Sequence, residues 1–306
     1  MNDIDSRRYL SPRYWPVRVG LFCMWAIARL PFRLQIKIGQ LLGLLFYAFG
    51  SKRRHIGEVN LKLCFPELSD SERRGLLRET FLANGIGLVE VGLAWYRDPE
   101  DFRRRVSVHG LEYLRQAKAQ GRGVLLVGAH FSTLEWGGIL FTLFDDMDAT
   151  YRPHKNPLFN QAMVRARRRR LLNVIARKDV RGALRSLKQG HILWYAPDQD
   201  YGPKHSVFVE FFGVTAATIT ATSRFAAYNN SPVVLFSHYR NADNSGYDLH
   251  FSAPLVNYPS GDETADAARI NTLIEQAVRK HPEQYLWLHR RFKTQAAGKA
   301  ARPYKA

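Results

Sequence analysis

From about residue 106 onward, short apolar runs alternate with amphipathic stretches along the chain. The runs at 106–108, 124–127, 149–151, 173–176, 192–196, 207–212, 232–240 and 247–251 are too short for buried helices and read as strands. Between them the spacing of apolar positions predicts helices opening at Leu111, Thr133, Pro157, Asp179 and Ala216, and a last helix over 263–280. Asn156 sits as a cap before Pro157, whose fixed φ suits a first turn, and Asp179 caps the next helix. The alternation predicts an α/β fold: a mixed, mostly parallel sheet flanked by helices, with the last two strands able to form a hairpin.

The first hundred residues carry a different pattern. Ser69-x-x-Glu72 reads as a capping box opening a helix to about Tyr96, with Leu76, Leu77, Phe81, Ile86, Leu88, Val89 and Leu93 as its apolar face. Two earlier apolar runs, 19–28 and 38–50, each fall short of the roughly 20 residues that cross a bilayer. Arg7, Arg8, Arg13 and Arg18 precede the first run, Arg29, Arg33 and Lys37 separate the two, and Lys52, Arg53 and Arg54 follow. Apolar helices with basic flanks favour a segment held in or on the cytoplasmic leaflet, where anionic lipids add attraction for each basic group. A single transmembrane helix over 16–31 and a pair of core helices of a soluble protein stay open beside that reading. Gly39-x-x-x-Gly43 permits close helix packing. The organisation predicted is a membrane-associated segment, 1–54, followed by a catalytic domain, 55–306.

Composition sharpens the choice of partner. The 306 residues are 46% apolar, enough to bury a substantial core, and carry a formal charge of +18. Anionic partners follow: nucleic acid, acidic lipid or an acidic protein. Residues 152–191 hold twelve Lys or Arg against the single acid Asp179, and from Arg290 to the end there are six basic residues and no acidic one. No zinc-finger spacing, RNP-like aromatic motif or leucine zipper accompanies them, which argues against specific nucleic-acid recognition. Cys23 and Cys64 form no CxxC and read as buried thiols of a reducing compartment.

The chemistry concentrates after the run 123–128, where Gly-Ala-His130-Phe-Ser-Thr-Leu-Glu135 places a base and a carboxylate at a strand-to-helix junction. An imidazole can deprotonate a hydroxyl near neutral pH, and a carboxylate can fix its tautomer and stabilise the imidazolium, which is the chemistry of hydroxyl acylation. Ser132-x-x-Glu135 reads equally as a capping box. The run Arg165 to Arg170 is either a solvated or lipid-facing stripe or a clasp for phosphates and sugar carboxylates. Asp198-x-Asp200 is too little for a metal site; Asp198 reads as the partner of a catalytic or substrate-binding arginine, or as a turn carboxylate. Arg152 and His289-Arg290-Arg291 read as phosphate contacts or surface positions, and His154, His205, His238 and His250 as surface or core histidines. GxSxG, Walker and HExxH motifs are absent from the sequence.

Four strings in order carry a family resemblance: His130-x-x-x-x-Glu135, Tyr151-Arg-Pro-His-Lys-Asn-Pro157, Trp194-Tyr-Ala-Pro-Asp-Gln-Asp-Tyr-Gly202 and Trp287-Leu-His-Arg-Arg-Phe-Lys293. Together they closely resemble the late acyltransferases of lipid A biosynthesis, the lauroyltransferase type in particular. The likeness starts near Ser11-Pro-Arg-Tyr-Trp15, includes Asn60-Leu-Lys-Leu-Cys-Phe-Pro-Glu67 and runs almost to the carboxyl terminus. It implies a glycerolipid-acyltransferase-like fold and transfer of a fatty acyl chain, lauroyl for this type, onto a hydroxyacyl chain of a Kdo-bearing lipid A precursor. The donor implied is acyl carrier protein, the setting the cytoplasmic side of a Gram-negative inner membrane, and no metal or other cofactor is required. It also implies His130 as general base, Glu135 as its orienting carboxylate, and roles for Arg167 and Asp198, with Ala166 standing where the family has glycine. Acylation of another glycolipid or a lysophospholipid is the alternative chemistry, and a noncatalytic basic membrane-binding protein the alternative class.

Overall fold

The apolar runs pair into one sheet in the computed structural model, which describes residues 9–296, 298, 303 and 304. Its strands are β1 (Val106–His109), β2 (Val124–Val127), β3 (Asp148–Tyr151), β4 (Asn173–Ala176), β5 (Ile192–Tyr195), β8 (Val233–Arg240) and β9 (Tyr247–Phe251), ordered β1-β9-β8-β2-β5-β3-β4. β8, β2, β5, β3 and β4 run parallel; β9 turns back against β8 as the predicted hairpin, and β1 lies parallel to β9. The mixed, mostly parallel sheet is as the sequence predicts. β2 is buried on both faces: Leu125 and Val127 enter one hydrophobic cluster, Val124 and Leu126 the other. Its uninterrupted apolar run, without polar alternation, follows from that two-sided burial.

One predicted element changes type. The stretch from Ala216 is not a helix but part of β7 (Val214–Ile219), antiparallel to β6 (Ser206–Phe211). Phe212 and Gly213 both adopt positive φ, 54° and 68°, giving a two-residue turn whose twist matches a hairpin. The β-branched residues Val214, Thr215, Thr218 and Ile219 around the two alanines favour the strand, and the helix begins later as α9 (Ala221–Asn229). The remaining predicted helices are present as α5 (Leu111–Lys118), α6 (Leu134–Phe141), α7 (Pro157–Arg167), α8 (Val180–Lys188) and α10 (Glu263–Lys280). The Asn156 and Asp179 side chains accept the cap bonds assigned to them.

The amino-terminal third is helical: α1 (Trp15–Ile27), α2 (Phe32–Phe49), α3 (Ser51–Cys64) and α4 (Asp70–Tyr96). Both bonds of the Ser69/Glu72 capping box form at the start of α4. Five of its seven predicted apolar-face residues are buried; Leu88 is exposed and Leu76 is intermediate. α2 lies against α4 at backbone distance: a Cβ added to Gly85 would meet Gly39 O at 2.2 Å and Gly43 Cα at 2.6 Å. Ile36, Gly39 and Gly43 are thereby buried, while Leu34, Leu41, Leu45 and Phe49 face outward. α1 buries no residue fully, and Trp15, Val19 and Phe22 stand exposed along it. Cys23 on α1 is therefore exposed, contrary to expectation, whereas Cys64 is buried. Among the described residues, no helix is long and apolar enough to cross a membrane. Residue 54 falls inside α3. Arg7 and Arg8 and the basic positions Lys299, Arg302 and Lys305 lie outside the described residues.

Candidate active site

Parallel pairing explains how two residues 68 positions apart come together. β2 and β5 are neighbours in register, Val127 opposite Tyr195, so the residues three beyond each strand end, His130 and Asp198, sit side by side. The helices that follow diverge: α6 packs into the cluster on one sheet face and α9 into the cluster on the other, so the pair occupies a topological switch point. The Asp198 carboxylate receives His130 twice, from the backbone N–H at 2.9 Å and from the ring Nδ1 at 2.6 Å. With Nδ1–H donated to a carboxylate, Nε2 of the neutral ring is left as an acceptor. His130 lines the adjoining cavity, while Asp198 is buried behind it.

Burial alone would raise the pKa of Asp198, but the charge of His130 and the bonds from it outweigh that and hold the carboxyl below the ordinary aspartate range. The sequence expectation of an arginine partner is thus corrected: Asp198 serves the histidine.

Glu135 is elsewhere engaged. The chain turns through residues 131–133 before α6 begins, so His130 and Glu135 do not share a helical face. Glu135, in the first turn of α6, accepts from Arg167 Nε at 2.9 Å, from a second Arg167 nitrogen, and from Trp95 Nε1 at 2.9 Å. Arg167 closes the last turn of α7, so each charge lies at the helix end whose dipole favours it. Burial opposes ionisation of Glu135, yet the Arg167 guanidinium and these bonds keep its carboxyl below the usual glutamate value. The expected role of Glu135 as the carboxylate orienting His130 is therefore corrected to that of a buried ion pair behind the site.

The capping-box reading fails as well. Thr133 is the N-cap of α6 with no side-chain cap bond, its hydroxyl lying instead 2.8 Å from His238 Nδ1, and Ser132 Oγ is buried without a partner. His238 is a core histidine whose pKa burial pushes down to about 3, so it stays neutral.

A cavity of about 1200 Å³ opens over the carboxyl ends of β2, β5, β3 and β4, with His130 in its wall. β3 and β5 pair over only two positions and then separate, leaving a gap between their ends. Arg152, Arg177, Lys178 and Lys204 line the cavity and are exposed, which places Arg152 at the rim. Of the basic run at 165–170, Arg167 turns inward, Arg170 lies 3.3 Å from Asp98, and Arg165, Arg168 and Arg169 are exposed. Asp200 is not paired with Asp198 around an ion; it accepts from Thr294 N, Thr294 Oγ1 and Gly202 N. Among the described residues, His, Cys, Asp and Glu form no group of three suited to a metal.

The sequence reading missed the strap that fixes His130. Leu286 N donates to His130 O at 3.0 Å, Ser132 N donates to Gln284 O at 2.6 Å, and Phe131 bridges Tyr285. Asn60 holds the strap in turn, its amide donating to Trp287 O at 2.5 Å and His289 O at 2.7 Å. Asn60 and Trp287 both begin strings that carry the family resemblance, which was the available signal. Trp95 had none beyond its place at the end of α4. Arg291, read as a surface or phosphate-contact residue, is buried and donates to Ala217 O and Thr218 Oγ1.

Residues 3–294 match the model of a family described as bacterial lipid A biosynthesis acyltransferase. The chain is 40% identical to the lipid A biosynthesis lauroyltransferase of Escherichia coli K12, covering 97% of each chain. It is 40% identical, over 97% of each, to the lipid A biosynthesis palmitoleoyltransferase of the same organism. The E. coli lipid A biosynthesis myristoyltransferase is 29% identical, over 98% of this chain and 93% of its own. A histidine–aspartate pair at a switch point, an adjoining cavity and full-length similarity agree: the chain belongs to the bacterial lipid A biosynthesis acyltransferase family and is an acyltransferase.

Proposed function

We propose that this enzyme transfers a fatty acyl chain, lauroyl in the first instance, from acyl carrier protein to a hydroxyacyl chain of a Kdo-bearing lipid A precursor at the cytoplasmic face of the inner membrane. The observation that carries the reading is the His130–Asp198 pair beside the cavity. His130 Nε2 takes the proton of the acceptor hydroxyl as its oxygen attacks the thioester carbonyl, and the buried carboxylate of Asp198 stabilises the imidazolium so formed. Collapse of the tetrahedral intermediate breaks the C–S bond, and the imidazolium returns the proton to the leaving thiolate. A thioester is already activated, so this step calls on no metal or nucleotide. Glu135 does not line the cavity and is spent on the buried ion pair with Arg167.

The exposed apolar rows of α1 and α2, with Arg13, Arg18, Arg29, Arg33, Lys52 and Arg53 beside them, support a segment lying in the interface. Equal identity to a lauroyl- and a palmitoleoyltransferase leaves chain length to experiment. Purified protein with lauroyl-, myristoyl- and palmitoleoyl-acyl carrier protein and a tetraacylated, Kdo-bearing precursor should yield a product heavier by one acyl chain. His130→Ala should lower turnover by roughly 10²–10⁴-fold, the usual contribution of a positioned base. Near-normal turnover by that variant would overturn the mechanism, and transfer only to other glycolipids or lysophospholipids would overturn the acceptor.

A further inference from the structure

The cavity beside His130 has two apolar walls built from different elements. One comprises Phe46 and Phe49 of α2 with Leu286 and Leu288 of the strap; the other comprises Ala183 of α8, Ile219 at the end of β7, and Ala221 and Phe225 of α9. Their surroundings differ in kind. Phe49 is 84% exposed and Phe46 47%, so the first wall is continuous with the outward apolar row of α2 and opens where a membrane-borne lipid would meet the enzyme. On the elements that carry the second wall, Arg177 and Lys178 just before α8 and Lys204 just before β6 line the cavity, while Asp179 beside them caps α8, and this basic charge suits the phosphodiester of a pantetheine arm on an acidic carrier.

We propose that the donor's acyl chain lies against the wall of Ala183, Ile219, Ala221 and Phe225, and that the side-chain volumes at Ala183 and Phe225 set the chain length transferred. This rests on the acyl-transfer reading above. Ala183 lines the cavity at its junction with the buried core, so a larger side chain there takes up cavity space or displaces its core neighbours. Phe225 packs against Tyr195, which also lines the cavity and whose ring meets that of Phe225 edge-on at 5.5 Å and 86°. The acceptor's chain, arriving from the bilayer, takes the wall of Phe46, Phe49 and Leu288.

The test compares kcat/KM for decanoyl-, lauroyl-, myristoyl- and palmitoyl-acyl carrier protein in detergent, using the full chain. Ala183→Leu should depress the longest accepted donor relative to one two carbons shorter by roughly tenfold, the scale of losing burial for two methylenes. Phe225→Ala should move the optimum to a longer chain. Should Ala183→Leu fail to fold, Ala221→Leu tests the same wall from a half-buried position. Leu288→Phe should weaken use of the acceptor while leaving the order of donor preference in place. Unchanged donor preference in the Ala183 and Phe225 variants, or a shift produced by Leu288→Phe instead, overturns the assignment while acyl transfer itself stands. Absence of transfer by the unsubstituted protein with any donor would overturn the underlying reading instead.

Discussion

Replacing Arg167 with Met strips the guanidinium from its buried pair with Glu135 while keeping a side chain of similar length. The perturbation is severe because Glu135 stays behind: the two side chains are 11% and 16% exposed, and Arg167 supplies two of the three bonds the carboxylate receives. An uncompensated buried charge of this kind costs about 3–5 kcal/mol. Glu135→Gln in the same chain removes the charge and keeps an oxygen for Trp95, so the double variant should recover most of that loss.

The sign of the pH dependence separates this account from a simple packing defect. In the native protein Glu135 ionises more readily than in the unfolded chain, so its stabilisation is present above the unfolded glutamate value and is lost as pH falls through the lower native value. Without Arg167, burial is opposed only by the Trp95 bond and raises the native pKa. The penalty then applies above that raised value and is relieved on acidification. Thermal or denaturant unfolding of the parent, the two single variants and the double variant in detergent, from neutral pH down to moderately acidic pH, measures both effects. Arg167→Met as stable as the parent, or a double variant no better than Arg167→Met, would refute the reasoning.

Other outcomes follow from the packing of the protein. Gly85→Leu should separate α2 from α4 and lower the unfolding midpoint strongly, since its Cβ would lie within 2.6 Å of three backbone atoms of α2. Ser132→Ala should leave stability within about 0.5 kcal/mol, because the hydroxyl has no partner to lose, whereas loss of a true cap would cost about 1 kcal/mol in the same unfolding assay. Phe49→Asp should reduce co-flotation with vesicles containing anionic lipid, and the parent's flotation should weaken as salt rises.

Much of the fold was legible because local signals and tertiary demands coincide. The runs that became β2 and β5 are short and apolar throughout, and the caps at Ser69, Asn156 and Asp179 use side chains whose partners are three residues away. The β6–β7 hairpin was masked because its turn is Phe212-Gly213 and not an Asn-Gly pair, and because Ala216 and Ala217 resemble helix formers. In the site, His130 was legible from its junction, but its partner was not. The choice between Glu135 and Asp198 depends on which strand lies beside β2, a fact of topology that spacing along the chain does not contain. Likewise Trp95 and the strap at 284–289 reach the site only through packing.

The central claim is that Asp198, and not Glu135, is the carboxylate on His130. Nitrogen NMR of ring-labelled histidine, with the His130 signal identified by its loss in His130→Gln, reads the tautomer directly. At a pH alkaline enough to deprotonate the ring, the proton should remain on Nδ1 in the parent and in Glu135→Gln, and that preference should be lost in Asp198→Asn. A tautomer unchanged in Asp198→Asn but lost in Glu135→Gln would contradict the claim.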